Sequence, residues 1–152
     1  MDEFYSEETY TPSESVGYLM RGAWQALFKN IDSEMQTLDL TGMQWGPLLL
    51  IAKGACNTVA GCARASYSDC GAMTRMLDRL EGKGLVCRVR SQEDRRVVHV
   101  ELTAAGQEIT KQIPAHLVGV LNQHLQGFSV AEFELFKNML KRFTENGLQE
   151  MK

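Results

Sequence analysis

One pair of β-type runs stands out in a chain whose other apolar residues recur at helical spacings. Residues 85–90 and 97–102 are rich in β-branched residues and partly alternate, and the polar stretch 91–94 separates them. Two such runs across a polar loop predict a β-hairpin. The chain is therefore predicted to be mainly α with a small β-hairpin, an α+β architecture.

The first two helices are predicted in the N-terminal part of the chain. Ser13 can cap a first helix. Its apolar side chains recur every three or four residues: Val16, Leu19, Met20, Ala23, Trp24, Leu27, Phe28 and Ile31. Residues 39–42 break that helix. Thr41 can cap a second helix that runs to Gly54, with Pro47 near its start, where a missing amide costs least.

Two shorter helices follow and lead directly into the hairpin. Asn57 or Thr58 can cap a third helix over 59–63, and residues 66–69 form a turn. A fourth helix carries an apolar face: Met73, Met76, Leu77 and Leu80. Gly84 is the expected left-handed cap at its end. Helix, turn, helix and two-stranded ribbon is the order of a winged helix-turn-helix, whose second helix enters the DNA major groove.

Two more helices are predicted after the hairpin. Thr103 can start a long helix that Pro114 is expected to kink and Gly127 to end. Ser129 and Glu132 have the spacing of a capping box at the start of the last helix. The apolar face of that helix consists of Phe133, Phe136, Met139, Leu140 and Phe143.

The chain is expected to divide into an acidic arm, a winged helix-turn-helix and dimerisation helices, and its charge distribution agrees with this division. Residues 1–12 are expected to be a flexible acidic arm. Residues 41–102 form the predicted winged helix-turn-helix, and 13–40 with 103–152 form N- and C-terminal dimerisation helices, all in one intertwined unit. Residues 64–96 carry eight bases and five acids, although the whole chain has a net charge of −3. A basic central third in an acidic protein is typical of a local surface that binds a polyanion.

A contiguous stretch of about 45 residues, 62–106, resembles the MarR-type transcriptional regulators. The recognition helix of that family is similar to Asp69-x-Gly71-Ala72-Met73-Thr74-Arg75-x-x-Asp78-Arg79-Leu80-Glu81-x-x-Gly84-Leu85-Val86. The wing and the start of the next helix are similar to Arg88-x-Arg90-Ser91-x-x-Asp94-Arg95-Arg96 and Leu102-Thr103-x-x-Gly106. Two departures affect the packing of the third helix: Cys62 replaces a leucine, and 66–68 replace a more apolar turn.

The resemblance implies a homodimer that binds a palindromic operator on double-stranded DNA. It also implies release of the DNA by a small-molecule or redox signal. We therefore expect a DNA-binding transcriptional regulator, a repressor released by a small aromatic acid or phenolic ligand. Two alternatives stay open: a cysteine-based redox-responsive regulator on the same fold, and a protein-interaction module that has lost DNA binding.

The predicted DNA contacts lie on the fourth helix and the wing. Small residues at the start of that helix let it sit deep in the groove, and Arg75 has the geometry to read guanine. Arginines in the wing suit phosphates and a narrow minor groove, and Asp94 is expected to pin one of them by an ion pair. Arg75 and Arg79 also fit a solvated face. The full set is Ser68, Cys70, Gly71, Ala72, Thr74, Arg75, Arg79, Arg88, Arg90, Asp94, Arg95 and Arg96.

A candidate effector site is expected between the dimerisation helices and the winged helix. An arginine among aromatic side chains can hold an aromatic carboxylate by an ion pair and stacking. The candidate residues are Tyr18, Arg21, Trp24, Phe28, Trp45 and His116. The alternative is that these aromatic residues belong to the core or the dimer interface and that Arg21 lies on the surface.

The four cysteines, Cys56, Cys62, Cys70 and Cys87, match no familiar zinc spacing. We favour small buried hydrophobic roles over a redox sensor or a metal ligand. The sequence contains no Gly-x-Ser-x-Gly, no Gly-rich phosphate loop and no His-Glu-x-x-His, so we expect neither an enzyme nor a cofactor. The acidic N-terminus lacks the layout of a secretory signal, and we expect a cytoplasmic protein that makes no use of a membrane.

Overall fold

The computed structural model describes residues 3–94 and 96–149. The elements follow the predicted order, with a short 3₁₀ turn ahead of the first helix. They are the turn Pro12–Glu14, α1 Val16–Gln36, α2 Trp45–Ala52, α3 Val59–Ala65, α4 Cys70–Gly82, β1 Val86–Arg90, β2 Val98–Leu102, α5 Ala104–His124 and α6 Val130–Gln149. The fold is mainly helical with a small β wing, as predicted.

The chain divides into two units, residues 1–120 and 121–152, with the boundary inside α5. The core of the first unit draws on every helix in it, because each contributes one apolar stripe. Its fully buried side chains include Met35, Leu48, Leu77, Leu80 and Ile113. Within the described ranges, no helix combines the length and apolarity that crossing a membrane requires.

The first helix starts two residues later than a cap at Ser13 would give. Ser15 is the N-cap, and its hydroxyl accepts a hydrogen bond from the backbone N–H of Tyr18 at 3.3 Å. Pro12 opens the 3₁₀ turn before it, so Ser13 lies inside a turn of different geometry. In the preceding arm, the Tyr5 hydroxyl accepts a hydrogen bond from the N–H of Val16 at 2.9 Å. The predicted flexibility of this arm stays a prediction.

The second helix is also shorter than expected. Thr41 does not cap it, because the backbone N–H of Thr41 is bound to the side-chain oxygen of Gln44 at 3.0 Å in the preceding turn. The helix starts at Trp45, with Pro47 as its third residue, and ends at Ala52.

The hairpin is antiparallel and anchored to its neighbours at the base. Its register pairs Arg90 with Val98 and Val86 with Leu102. Gly84 precedes it with a φ of +70°, which confirms the predicted left-handed cap. Beyond β2, the hydroxyl of Thr103 accepts a hydrogen bond from the N–H of Gly106 at 3.1 Å, so Thr103 starts α5 as predicted.

Close packing at the start of α5 requires a glycine at residue 106. A Cβ atom on Gly106 would run into the carbonyl oxygen of Leu85, a backbone atom with no flexible end to move away. The helix therefore approaches the base of the wing as closely as backbone allows. Pro114 lies inside α5.

In the second unit, the predicted capping box is present. The Ser129 hydroxyl accepts a hydrogen bond from the N–H of Glu132 at 3.2 Å, and the Glu132 carboxylate accepts one from the N–H of Ser129 at 2.8 Å. This bond stabilises the charged carboxylate and holds the pKa of Glu132 below its ordinary value. Gly127, with a φ of +87°, lies in the turn before it.

Candidate nucleic-acid interface

The fourth helix begins with a strong N-terminal cap. Thr58 caps α3, and after the turn Asp69 caps α4, where its carboxylate accepts a hydrogen bond from the N–H of Ala72 at 2.7 Å. That bond, with further contributions that include the charge of Arg75, lowers the pKa of Asp69 below its usual value. The cap satisfies amides that α4 would otherwise leave unpaired and fixes the position at which the helix starts.

The two faces of α4 differ sharply in exposure. Its inner face consists of Met73, Leu77 and Leu80, which are buried in the core. Its outer face consists of Cys70, Gly71, Thr74, Arg75, Asp78, Arg79 and Gly82, all exposed. An exposed helix face that carries donors and two arginines can reach base edges and phosphates.

Two polar side chains on this face are held near the start of α4. The Thr74 hydroxyl donates to the carbonyl oxygen of Cys70 at 2.7 Å. A Cβ on Gly71 would lie 3.2 Å from a carboxylate oxygen of Asp69 and 3.5 Å from a guanidinium nitrogen of Arg75. The Arg75 side chain therefore folds back towards the capped end of the helix.

Arg88 ties the wing to α4. Its guanidinium donates to the carboxylates of Glu81, at 2.5 Å, and Asp78, at 2.7 Å, and its backbone N–H donates to Glu81 at 3.1 Å. The hydrogen bond to Asp78, followed by the contacts with Glu81, raises the pKa of Arg88 above its ordinary value. Both ends of the guanidinium are thus occupied by carboxylates. This geometry gives Arg88 a positioning role between β1 and α4, and DNA contact by Arg88 stays a prediction that its carboxylate partners disfavour.

The tip of the wing is ordered by hydrogen bonds between residues two or three positions apart in the sequence. The Ser91 hydroxyl accepts hydrogen bonds from the N–H groups of Glu93 and Asp94 at 3.2 and 3.3 Å. The Asp94 carboxylate accepts one from the backbone N–H of Arg96 at 2.9 Å. Asp94 thus stabilises the turn, because an aspartate can bond the main chain two residues on, and its expected ion pair with a wing arginine stays a prediction.

The remaining predicted DNA contacts lie on two surfaces of the first unit. Ser68 is exposed in the turn before α4, and Ala72 is half-buried in its first turn. Arg90 and Arg96 are exposed at the end of β1 and in the tip. Arg95 lies outside the described residues. DNA contact by these residues stays a prediction.

The candidate effector residues do not form one site within a single chain. On α1, Tyr18, Arg21 and Trp24 are exposed, and the Trp24 and Phe28 rings lie 5.9 Å apart. Trp45 packs against the core.

His116 is placed away from Arg21. His116 lies on α5, and its Nδ1 is 3.0 Å from the carboxylate of Glu34. Glu34 is on α1, the helix that also carries Arg21. Thirteen residues of helix separate Glu34 from Arg21, roughly 20 Å along the axis. One small aromatic acid would therefore not reach both Arg21 and His116 of the same chain, and ligand contact by either residue stays a prediction.

An open groove of about 750 Å³ lies elsewhere in the first unit. It is bordered by the end of α2, the loop before α3, β2 and the start of α5. Its lining includes Lys53, Cys56, Asn57, Glu101 and Lys111. None of the candidate effector residues lines this groove.

The cysteines correct the sequence interpretation in one respect. Cys56 and Cys62 are buried, as favoured, but they are also joined as a disulfide, with Cα atoms 5.1 Å apart. Cys70 is exposed and Cys87 is half-buried, and both are free thiols. No group of three or more histidine, cysteine or acidic side chains in the described part of the chain could hold a metal ion.

The sequence interpretation missed how the wing is positioned. The motifs contain Glu81 and Ser91, but the motifs alone do not predict their contacts with Arg88 and the wing tip. The contact between Glu81 and Arg88 could have been predicted from charge and position, since the two residues are oppositely charged and lie on either side of the tight turn at Gly84. Asp78, part of the same motif, also binds Arg88.

Comparison with known proteins places this site in a family. The family model described as MarR family matches residues 43–98. The multiple antibiotic resistance protein MarR of Escherichia coli is 32% identical over 128 residues, which cover 84% of this chain and 89% of the relative. A cysteine-to-serine variant of E. coli MarR, complexed with operator DNA, has a TM-score of 0.77 at 32% identity and covers 84% of this chain and 92% of that chain.

A third neighbour shows the same fold at lower identity. BpsR of Bordetella bronchiseptica, in a study of the regulation of its DNA binding by 6-hydroxynicotinic acid, has a TM-score of 0.82 at 22% identity. It covers 89% of this chain and 96% of that chain. The same conclusion follows from the capped α4, the arginine-bearing wing and the match over most of both chains. This chain belongs to the MarR family of transcriptional regulators, which are not enzymes.

Proposed function

We propose that this chain is a dimeric repressor that binds a palindromic operator in the cytoplasm and releases it when a small aromatic acid or phenol binds. The observation that carries the proposal is the outer face of α4. Thr74, Arg75 and Arg79 are exposed there, opposite a fully packed inner face. Arginine beside a groove edge can bind guanine in bidentate fashion, and threonine can bind a base edge or a phosphate.

Dimerisation is supported by exposed apolar side chains on two helices. On α1 they are Val16, Tyr18, Leu19, Met20 and Trp24, and on α6 they are Val130, Leu135, Phe136, Met139, Leu140, Phe143 and Leu148. Exposed apolar surface of this extent marks an interaction site. A second copy of the chain is the proposed occupant, because a twofold dimer presents two recognition helices to a palindrome.

A pair of substitutions on α6 tests the dimer. Met139→Asp puts a charge on the apolar face, whereas Asn138→Asp puts the same charge on an already polar position of the same helix. Light scattering should report a dimer for the parent chain and for Asn138→Asp, and a monomer for Met139→Asp. A parent chain that is monomeric at micromolar concentration would contradict the proposal.

The effector proposal rests on the exposed arginine and aromatic side chains of α1. Arg21 lies one turn from Trp24, whose ring is adjacent to that of Phe28, so a carboxylate and an aromatic ring can be bound together. Regulation of BpsR by 6-hydroxynicotinic acid, an aromatic carboxylate, favours the same chemical class. The dimer would exist in two states that differ in the spacing of the two recognition helices. The ligand shifts the equilibrium between these states only as far as it binds one more tightly than the other.

Arg21→Ala tests the effector site, with Lys29→Ala as the matched control on the same helix. A thermal-shift screen of phenols and aromatic acids would first identify a ligand that releases the selected operator. Arg21→Ala should then bind operator as the parent chain does but fail to release it, while Lys29→Ala should release it normally. Release of operator by Arg21→Ala at the parental ligand concentration would exclude Arg21 from the site.

A further inference from the structure

The disulfide links the loop before α3 to the first helical turn of α3, which is the first helix of the helix-turn-helix. Cys56 lies in the loop before α3, and Cys62 is the fourth residue of that helix. Between them, Thr58 caps α3: its hydroxyl accepts a hydrogen bond from Gly61 at 3.1 Å, and its carbonyl accepts one from Cys62 at 2.8 Å. The bond between the sulfurs therefore fixes the loop to the helix that it leads into.

The same loop holds the wing. The carbonyl oxygen of Asn57, next to Cys56, accepts a hydrogen bond from the backbone N–H of Val100 in β2 at 2.8 Å. Val100 is paired across the hairpin with Arg88, which is bound to α4 through Asp78. One continuous set of contacts thus runs from the disulfide through both strands to the proposed recognition helix.

The two sulfurs differ in how they can be reached. Cys62 is completely buried, whereas Cys56 borders the open groove of about 750 Å³. The charged side chains that line the groove are Lys53, Lys111 and Glu101, a net positive set that favours anionic small thiols. A small reagent that enters the groove meets Cys56 first.

We propose that Cys56 and Cys62 form a reversible redox site, which exchanges with low-molecular-weight thiols and disulfides through the groove and sets how firmly the winged helix is held. In the reducing direction, a thiolate attacks the sulfur of Cys56, the bond between the two cysteines breaks, and Cys62 leaves as a thiolate that takes up a proton. A second thiolate attacks the mixed disulfide on Cys56 and releases the small-molecule disulfide and the Cys56 thiol. Two small thiols are oxidised, one protein disulfide is reduced, and oxidation is the reverse sequence.

The bonded form is the one pre-organised for DNA. The disulfide keeps the α3 cap and the Asn57 contact in place, so binding does not have to order them. Reduction removes this restraint, and we expect operator binding to weaken by at least about fivefold, the lower end of typical coupling between two sites. This step rests on the proposed DNA-binding function. Disulfides in reducing compartments are usually transient, which fits a reversible role.

The first test measures the redox chemistry without DNA. The folded parent chain is equilibrated in buffers of reduced and oxidised glutathione, quenched in acid, alkylated and digested for mass spectrometry. Cys56 and Cys62 should gain and lose alkylation together, and trapped glutathione should be found on Cys56. A pair that stays oxidised in excess thiol under native conditions, or a mixed disulfide on Cys62, would overturn the proposal.

The second test measures the coupling to the wing by hydrogen exchange and operator binding. The amide of Val100 should exchange faster in the reduced parent chain, and operator affinity should fall and then recover on reoxidation. The double variant Cys56→Ser, Cys62→Ser keeps Cys70 and Cys87, and its affinity should be weak and unresponsive to redox. Unchanged exchange at Val100 or unchanged affinity on reduction would overturn the coupling. Loss of all sequence-specific DNA binding in both forms would instead count against the proposed function.

Discussion

Replacing Arg88 by glutamine separates a positioning role from a DNA contact. The change removes two charge-assisted hydrogen bonds, to Asp78 and Glu81. The exposed side-chain fractions are 25% for Arg88, 57% for Asp78 and 40% for Glu81, so solvent screens the pairs considerably. We therefore expect a loss of only about 1 kcal/mol in the free energy of unfolding. For a chain of this length that corresponds to a fall in Tm of about 2–4 °C.

The salt dependence of operator binding is the decisive assay. Each phosphate contact contributes about 0.9 to the slope of log K against log salt concentration. Arg88→Gln should weaken binding at every salt concentration without changing the slope, because its guanidinium is occupied by carboxylates. Arg90→Gln changes the net charge by the same amount, but Arg90 is exposed beside the wing tip, so the slope should decrease by about 0.9.

A reduced slope for Arg88→Gln, equal to that for Arg90→Gln, would refute this reasoning. It would mean that Arg88 leaves its carboxylates and binds phosphate in the complex. Asp78→Asn provides an independent check, because it breaks the same pair without removing a positive charge. It should lower operator affinity in the same direction, again with an unchanged slope.

Three further predictions concern the helices around the site. Gly106→Ala should lower the free energy of unfolding by about 1–3 kcal/mol, because the new Cβ meets the carbonyl oxygen of Leu85; in thermal unfolding, Gly82→Ala, with nothing near its Cβ, should be neutral or slightly stabilising. Asp69→Ala should destabilise the fold at neutral pH: the folded pKa of Asp69 lies below its usual 3.8, so its stabilisation is present above that value and is lost as the pH falls through the folded pKa. Urea titrations that show the same difference between parent and variant in acid and at neutrality would contradict this. Arg75→Ala should cost about 1–3 kcal/mol on the operator and relax its sequence preference, as measured by competition with random DNA.

Local signals were sufficient to predict most of the fold. The capping box at Ser129 and Glu132 and the left-handed Gly84 depend on residues within one turn of each other, and the structure has both. A cap at Ser13 starts the first helix too early, because two serines compete for the cap and the choice of Ser15 depends on the 3₁₀ turn that Pro12 opens. That turn leaves no periodic pattern in the sequence.

Contacts between distant residues were not predictable in the same way. The pairing of His116 with Glu34 joins residues 82 positions apart, and no spacing rule connects them. Cys56 and Cys62 are only six apart, but they meet because the loop folds back over the start of α3. The pairing of Arg88 with two carboxylates of α4 is also easily missed, because an arginine in a wing resembles a phosphate ligand until its carboxylate partners are located.

Selection of bound duplexes from a random DNA library by this chain tests the central claim most directly. Two α4 helices related by a twofold axis should enrich an inverted repeat, with half-site centres about one helical turn, or roughly 10 base pairs, apart. Arg75→Ala should select the same repeat with weaker preference at the bases that this side chain reads. Enrichment of a single unrepeated half-site, or of no sequence at all, would contradict a dimer that reads DNA through α4 and the wing.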